Sequence, residues 1–366
     1  MGIINKSLKR LGFNKFIYRY RLNKYIDSNN DIDFKKYSTL LMKYRNNSNS
    51  SCIYRYNFLA PTLDATIIVP TYNNDKFLKD CINSLLYQNT DYTYEVIVID
   101  DGSTDNTKEI LDLYKNEKLI VYHQEYKGVS SARNLGLFHA RGNFLFFVDS
   151  DDVLPNNAIN SLLKKAIETN ADIVEGNFQY IDEEGRKGRT IRHYKYNKMH
   201  TRGVPWGKCF KRELFSNVVF PLNYWFEDSI IHHIILPRAH KVLWINNIVY
   251  FYRKNVNGVT SQAKGNFQSI DSLWITMQLY EDHISLGLSI DIDYYEYLLK
   301  MVRLTFSRVD LLSIDIQIAI FYVFRSFFLS IKLFKENKKM NVDLKNIETL
   351  IISKSFECFH RYIKNT

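Results

Sequence analysis

Phe144-Leu-Phe-Phe-Val148 runs straight into Asp149, Ser150, Asp151 and Asp152. Five apolar residues followed by three carboxylates describe a buried strand that ends abruptly at water or at an ion. Asp149 and Asp151 alternate with Ser150, and a turn just past a strand can aim two such carboxylates at one hard cation, which in turn can bridge a diphosphate. The same acids also suit a helix N-terminus, because Pro155 and a helical pattern over Ala158–Thr169 follow. On this segment alone both readings stand.

The elements upstream repeat the arrangement. Thr66-Ile-Ile-Val-Pro70 reads as a strand ending at Thr71-Tyr72-Asn73, and Asp75–Leu86 carries Phe77, Leu78, Cys81, Ile82, Leu85 and Leu86 on one helical stripe. Tyr94–Asp101 is a second buried strand, Gly102–Thr107 has turn and cap chemistry, and Lys108–Lys115 reads as a helix. A strand at Leu119–Tyr122 and a helix at Ser130–Ala140, stopped by Gly142, complete the series before Phe144. Such alternation predicts an α/β fold with a mixed, mostly parallel sheet flanked by helices. Ligands of open sheets lie beyond the carboxyl ends of the strands, where the polar clusters at residues 70–73, 100–103 and 149–151 fall. No Gly-x-Gly-x-x-Gly or Gly-Lys-Ser/Thr loop is present, which excludes the usual dinucleotide and ATPase fingerprints.

Beyond residue 170 the pattern loosens. Asp172–Ile181 alternates like a strand, Glu183–Arg192 is a basic loop or hairpin with Arg186, Lys187, Arg189 and Arg192, and Trp225-Phe-Glu-Asp228 opens an apolar helical run to Leu236. Residues 267–366 are helical in pattern. Ile316–Phe334 approaches a membrane span in hydropathy, but Gln317, Arg325 and Lys332 interrupt it, so a buried or interfacial helix is expected.

With 366 residues, 46% hydrophobic and 15% aromatic, the chain has the composition of a folded protein rather than a disordered one. The four cysteines show neither metal-ligand nor disulfide-framework spacing, and no secretory signal pattern opens the chain; both suit reduced thiols in the cytoplasm. Of the net charge of +10, residues 1–60 supply a surplus of nine, with twelve Lys or Arg against three Asp. A basic arm of this kind suits an anionic membrane surface, an acidic partner or nucleic acid. No nucleic-acid module accompanies it. Phe13, Phe16, Ile17 and Tyr20 fall at helical spacing within the arm. Three regions follow: a basic helical extension (1–60), a catalytic domain (61–265) and a helical C-terminal region (266–366).

Six blocks in order, Ile67–Asn73, Val96–Asp105, Gly128–Gly136, Phe147–Asp152, Trp206-Gly-Lys208 and Glu227-Asp228, resemble the bacterial family 2 inverting glycosyltransferases of GT-A fold. The resemblance covers about residues 64–262 and leaves both ends of the chain outside it. It implies transfer of a hexosyl or N-acetylhexosaminyl group from a UDP-sugar donor to a hydroxyl of a cell-surface glycan or lipid-linked glycan, with Mn²⁺ or Mg²⁺ at Asp149 and Asp151. Carried over residue by residue, it places Pro70, Tyr72, Asn73, Asp100, Arg133, Asp149 and Ser150 at the donor, Asp101 as an equal candidate for the ribose, and Asp228 as catalytic base with Glu227 as rival. Arg253 or Lys254 is then expected at phosphate, beside a lid at Asn255–Gly258. Trp206 and Lys208 border the donor sugar or acceptor, or are a core Trp beside a solvated Lys. A nucleotide-sugar binding protein without turnover is the alternative. The location implied is the cytoplasm, peripheral on the inner membrane face.

Overall fold

The computed structural model describes residues 32–46, 50–193, 198–254, 263, 265–331, 340–353 and 355–365. Phe13, Phe16, Ile17, Tyr20 and the expected lid Asn255–Gly258 lie outside the described residues. The described residues form two compact units, one within the bounds Asn46–Ser261 and Ile275–Ile290, the other within Met1–Arg45, Gln262–Trp274 and Asp291–Thr366.

The first unit is built on an eight-stranded sheet. Its elements run β1 (Leu63–Thr71), α1 (Asp75–Leu86), β2 (Tyr94–Asp100), α2 (Thr107–Asp112), β3 (Leu119–His123), α3 (Val129–His139), β4 (Gly142–Phe147), α4 (Ala158–Thr169), β5 (Ile173–Ile181), β6 (Lys187–Ile191), β7 (Lys208–Lys211) and β8 (Val242–Arg253). Strand order is β3-β2-β1-β4-β7-β5-β6, with β8 pairing β5 off this path. The pairs β3-β2, β2-β1, β1-β4 and β5-β8 are parallel, while β7 and β6 are antiparallel to their neighbours.

β1 and β2 are buried almost throughout because α-helical crossovers cover both faces, and their Val/Ile runs follow from that position. The apolar stripe of α1 and the Ala158, Ile159, Leu162, Leu163 and Ala166 face of α4 pack into one core with Val69, Phe146 and Val148. Gly142 opens β4 instead of stopping the preceding helix. A Cβ there would stand 2.3 Å from the carbonyl carbon of Ala65, so only glycine lets β4 close on β1 at this point.

In the second unit, Ile32–Met42, Ile292–Arg308, Ile314–Ser330, Val342–Ile352 and Phe356–Asn365 are helices. Rings dominate its packing, with Tyr37 stacked on Tyr322 at 4.9 Å and Phe321 against Phe359 at 5.1 Å. The apolar stretch near 316–334 is the helix Ile314–Ser330, in which Ile316, Ile320, Phe324 and Phe328 are buried. Among the described residues no helix is long and apolar enough to cross a membrane.

Candidate active site

Parallel pairing of β2, β1 and β4 sets their carboxyl ends side by side, and the loops that follow are laced to one another. Asn73, in the left-handed region at φ 46°, donates its N–H to Ser103 Oγ at 2.9 Å and accepts from Thr104 N through Oδ1 at 2.7 Å. Asn74 Nδ2 donates to Ser150 Oγ at 2.8 Å, joining the first loop to the acidic turn. Sequence spacing put these residues at strand ends. Only the pairing brings Asn73, Ser103 and Ser150 into one rim.

Asp100 and Asp101 are both buried, and they face different partners. Asp100 accepts from Ser103 N at 3.0 Å and lies 2.9 Å from His123 Nδ1. Asp101 accepts from Lys127 N at 2.9 Å, Gly128 N at 2.7 Å and Gln124 Nε2 at 2.6 Å, so its carboxylate holds the loop leading into α3. Gly102 between this pair and the turn has φ 77°, and a Cβ would meet Tyr126 N at 2.7 Å. The close approach seats Tyr126 beside Tyr72, with ring centroids 4.6 Å apart and both rings exposed.

The acidic turn follows β4. Asp149 and Asp151 are half-buried and Asp152 is buried. Burial, then the charges of Asp151 and Asp149, push the Asp152 carboxyl well above the ordinary carboxylate value. Tyr250 lies beneath: its hydroxyl accepts from Asp149 N at 3.1 Å, and burial raises its own pKa. Nothing in the sequence pointed to this tyrosine as a support of the turn.

Two arginines expected at the donor contact protein groups around the acidic turn. The guanidinium of Arg133, buried, bridges Glu227 Oε1 at 2.5 Å and Asp149 Oδ1 at 2.9 Å. Burial works to lower its pKa, but the two carboxylates outweigh it and raise the value. Arg253, with a side chain 1% exposed, donates from Nε to Asp151 O at 2.8 Å and from Nη1 to Glu183 O at 2.6 Å. Its backbone N–H reaches Asp152 Oδ1 at 2.6 Å. Arg253 therefore braces the acidic turn from behind.

Glu227 and Asp228 occupy a short 3₁₀ turn entered through Phe226, a non-glycine residue at φ 68°. Such backbone strain persists where surrounding contacts fix it, commonly at functional sites. Glu227 is engaged by Arg133, and Asp228, also half-buried, lies within electrostatic reach of Lys208.

Lys208 is not solvated, contrary to one of the two sequence readings. Its side chain is 0% exposed, with Nζ 3.0 Å from Glu175 Oε1 and donating to Val204 O at 2.9 Å. Glu175, also 0% exposed, accepts from Arg202 Nε at 2.6 Å and lies 3.6 Å from His193 Nε2. Burial works to raise the pKa of Glu175, but Lys208, Arg202 and His193 hold it below the usual carboxylate value. One carboxylate serves two cations here, and burial pushes Lys208 down to about 8. The network fixes the loop carrying Trp206, whose ring stacks on Tyr250 at 4.6 Å. The sequence signal for Glu175 was a lone acid inside the apolar strand Ile173–Ile181.

Removing only the acid would leave a buried lysine and arginine unpaired. Glu175→Gln is expected to destabilise the fold by about 3–5 kcal/mol, and Lys208→Met added to it to recover part of the loss. Urea unfolding of the single and double variants measures this. Because the folded Glu175 value is depressed, its contribution is present above the unfolded carboxyl value and fades as pH falls through the folded one.

Among the described residues no three His, Cys, Asp or Glu side chains form a ready cage for a metal ion. Two half-buried carboxylates backed by a third fit the looser pattern of Mg²⁺ and Mn²⁺ sites, in which substrate oxygens complete the coordination.

The family model for "Glycosyl transferase family 2" matches residues 66–220. Glycosyltransferase GlyG of Streptococcus pneumoniae is 32% identical over 218 residues, covering 53% of this chain and 72% of GlyG. Poly(ribitol-phosphate) beta-N-acetylglucosaminyltransferase TarP of Staphylococcus aureus is 33% identical over 159 residues, 42% of this chain and 45% of TarP. Among solved structures, S. aureus TarS 1-349 in complex with UDP-GlcNAc superposes with TM-score 0.64 at 19% identity, over 83% of this chain and 91% of that one, which shows a shared GT-A fold. Strand order, the acidic turn after β4 and the match to GlyG together make this chain a member of glycosyltransferase family 2.

Proposed function

We propose that the protein is an inverting, metal-dependent glycosyltransferase that moves a hexosyl or N-acetylhexosaminyl group from a UDP-sugar to a hydroxyl of a growing cell-surface glycan or glycolipid. The observation that carries this reading is the convergence of the β1, β2 and β4 ends on one rim that holds Asp100, Asn73 and Asp149–Asp152. The names of TarS bound to UDP-GlcNAc and of TarP support a UDP-sugar donor and a cell-wall acceptor.

In this reading Tyr72 stacks on the uracil, Asp100 accepts from its ring N–H, and Pro70, Asn73 and Asp101 shape the nucleoside end. Asp149, Ser150 and Asp151 face the diphosphate, and Asp149 and Asp151 hold Mn²⁺ or Mg²⁺. When bound, the cation neutralises the charge that develops on the departing UDP. Asp228 takes the proton of the acceptor hydroxyl as its oxygen bonds to the anomeric carbon, and the bond from that carbon to the UDP oxygen breaks on the opposite face. Arg133 orients Asp149 and keeps Glu227 occupied, while Arg253 fixes the turn.

Incubating purified protein with a panel of UDP-sugars tests this, reading released UDP with and without Mn²⁺ and lipid-linked acceptors. Release that requires the cation and rises with acceptor is the expected result; UDP-sugar binding with no release under any condition would mark a non-catalytic binding protein. The same reading places the enzyme on the cytoplasmic face of a membrane, held by the basic residues of 1–60, each contributing up to about 1 kcal/mol near an anionic surface. Deleting residues 1–45 is expected to abolish flotation with anionic vesicles, and salt to weaken it in the full chain. Full-length protein that fails to float at low salt would leave the arm a structural role only.

A further inference from the structure

The basic hairpin β5–β6 remains outside this mechanism, yet it is fastened to the acidic turn. Arg253 Nε holds Asp151 O while its Nη1 holds Asp182 O at 3.1 Å and Glu183 O at 2.6 Å, so one buried guanidinium links the catalytic turn to the hairpin's own turn. β6 is the last strand of the sheet path. Its pairing with β5 slips between Gln179↔Thr190 and Ile181↔Lys187, and the bulge puts Gly188 and Arg189 opposite Tyr180.

The charges of this edge do not balance. Its acids are already neutralised: Asp182 and Glu184 pair with Arg186 at 2.6 and 3.0 Å, and Glu183 pairs with Lys76. Arg189 and Arg192 are exposed and, among the described residues, no acid pairs with them. Lys254, also exposed, sits over the Tyr180 ring at 5.0 Å. An aromatic row, buried at Trp206 and half-buried at Tyr252 and Tyr180, with Trp206–Tyr252 at 5.2 Å and Tyr252–Tyr180 at 5.7 Å, runs from the support of the acidic turn to this surplus of positive charge. Aromatic faces take the apolar faces of sugar rings, and uncompensated arginines take anionic oxygens.

We propose that this edge is the track for the acceptor and that the acceptor is an anionic glycan of the sugar-phosphate kind: Tyr252 and Tyr180 receive its sugar rings, and Arg189, Arg192 and Lys254 its phosphates. The proposal rests on the transferase reading above and names the acceptor class for it. Charged edge strands also deter sheet-to-sheet pairing. Exchanging Arg for Glu keeps that protection while reversing the sign, which separates the two roles.

The test compares wild type with Arg189→Glu/Arg192→Glu, and separately with Tyr180→Ala, binding short poly(glycerol phosphate) chains, with neutral dextran fragments and anionic vesicles as parallel ligands. Wild type is expected to bind the phosphate polymer in preference to dextran, more weakly as salt rises, and the double Glu variant to bind it roughly tenfold or more weakly. Tyr180→Ala is expected to weaken polymer binding without changing its salt dependence. Acceptor-independent UDP release should be unchanged in both. Equal polymer binding by wild type and the double variant overturns the proposal, as does a loss confined to vesicles, which would assign the strip to a membrane surface. Absence of UDP release from wild type would defeat the transferase reading instead, and shows in a different arm.

Discussion

Asp228→Asn is expected to reduce turnover by roughly 10²-fold or more while leaving UDP affinity within error of wild type. Removing a general base raises the barrier of the chemical step and leaves ground-state donor contacts in place. Glu227 is held by the buried Arg133 at 2.5 Å, and Asp228, half-buried like Glu227, lies within electrostatic reach of Lys208. Glu227→Gln is expected to act differently, because it releases Arg133, which also holds Asp149. Its effect should fall on donor binding as well as on rate. Measuring kcat, KM and UDP affinity for both variants decides the assignment, and loss of UDP binding in Asp228→Asn would make that residue structural.

Asp151→Ala is expected to reduce transfer by several kcal/mol of barrier, ~10³-fold or more, and EDTA to reproduce the loss reversibly in the wild type. Asp149 shares one oxygen with Arg133, and Asp151 is the second carboxylate that would hold the cation. The backbone carbonyl of Asp151, which accepts from Arg253, survives the substitution, so the turn should keep its shape. Restoring activity to EDTA-treated wild type with Mn²⁺ or Mg²⁺, but not to the variant, is the expected pattern. Full activity in excess EDTA would sink the metal assignment.

The helices Asp75–Leu86 and Ala158–Thr169 were legible residue for residue, because their apolar stripes repeat at helical period and their cores are local in origin. The turn Glu227–Ser229 and the irregular helix after it were less so: the expected run from Trp225 to Leu236 contains a 3₁₀ turn and a wide, π-type turn at Ile231–Ile235. Their shape answers to tertiary constraints, which periodicity does not encode.

By itself the sequence determined the alternation of strands and helices, the acids and asparagines at the carboxyl ends of β1, β2 and β4, and membership in the family, since all of these depend on residue type and short-range order. The tertiary structure alone decided which charge meets which. Arg133 and Glu227 are far apart along the chain, as are Arg253 and Asp151, and Lys208 and Glu175; the last two pairs form only once β4, β5, β7 and β8 are in register. Burial then dictates the outcome. A cation taken from water must find an acceptor, so Arg133 and Arg253 settle on carboxylates and carbonyls inside the site, and Lys208, readable as a surface lysine, pairs with the one acid in a buried strand.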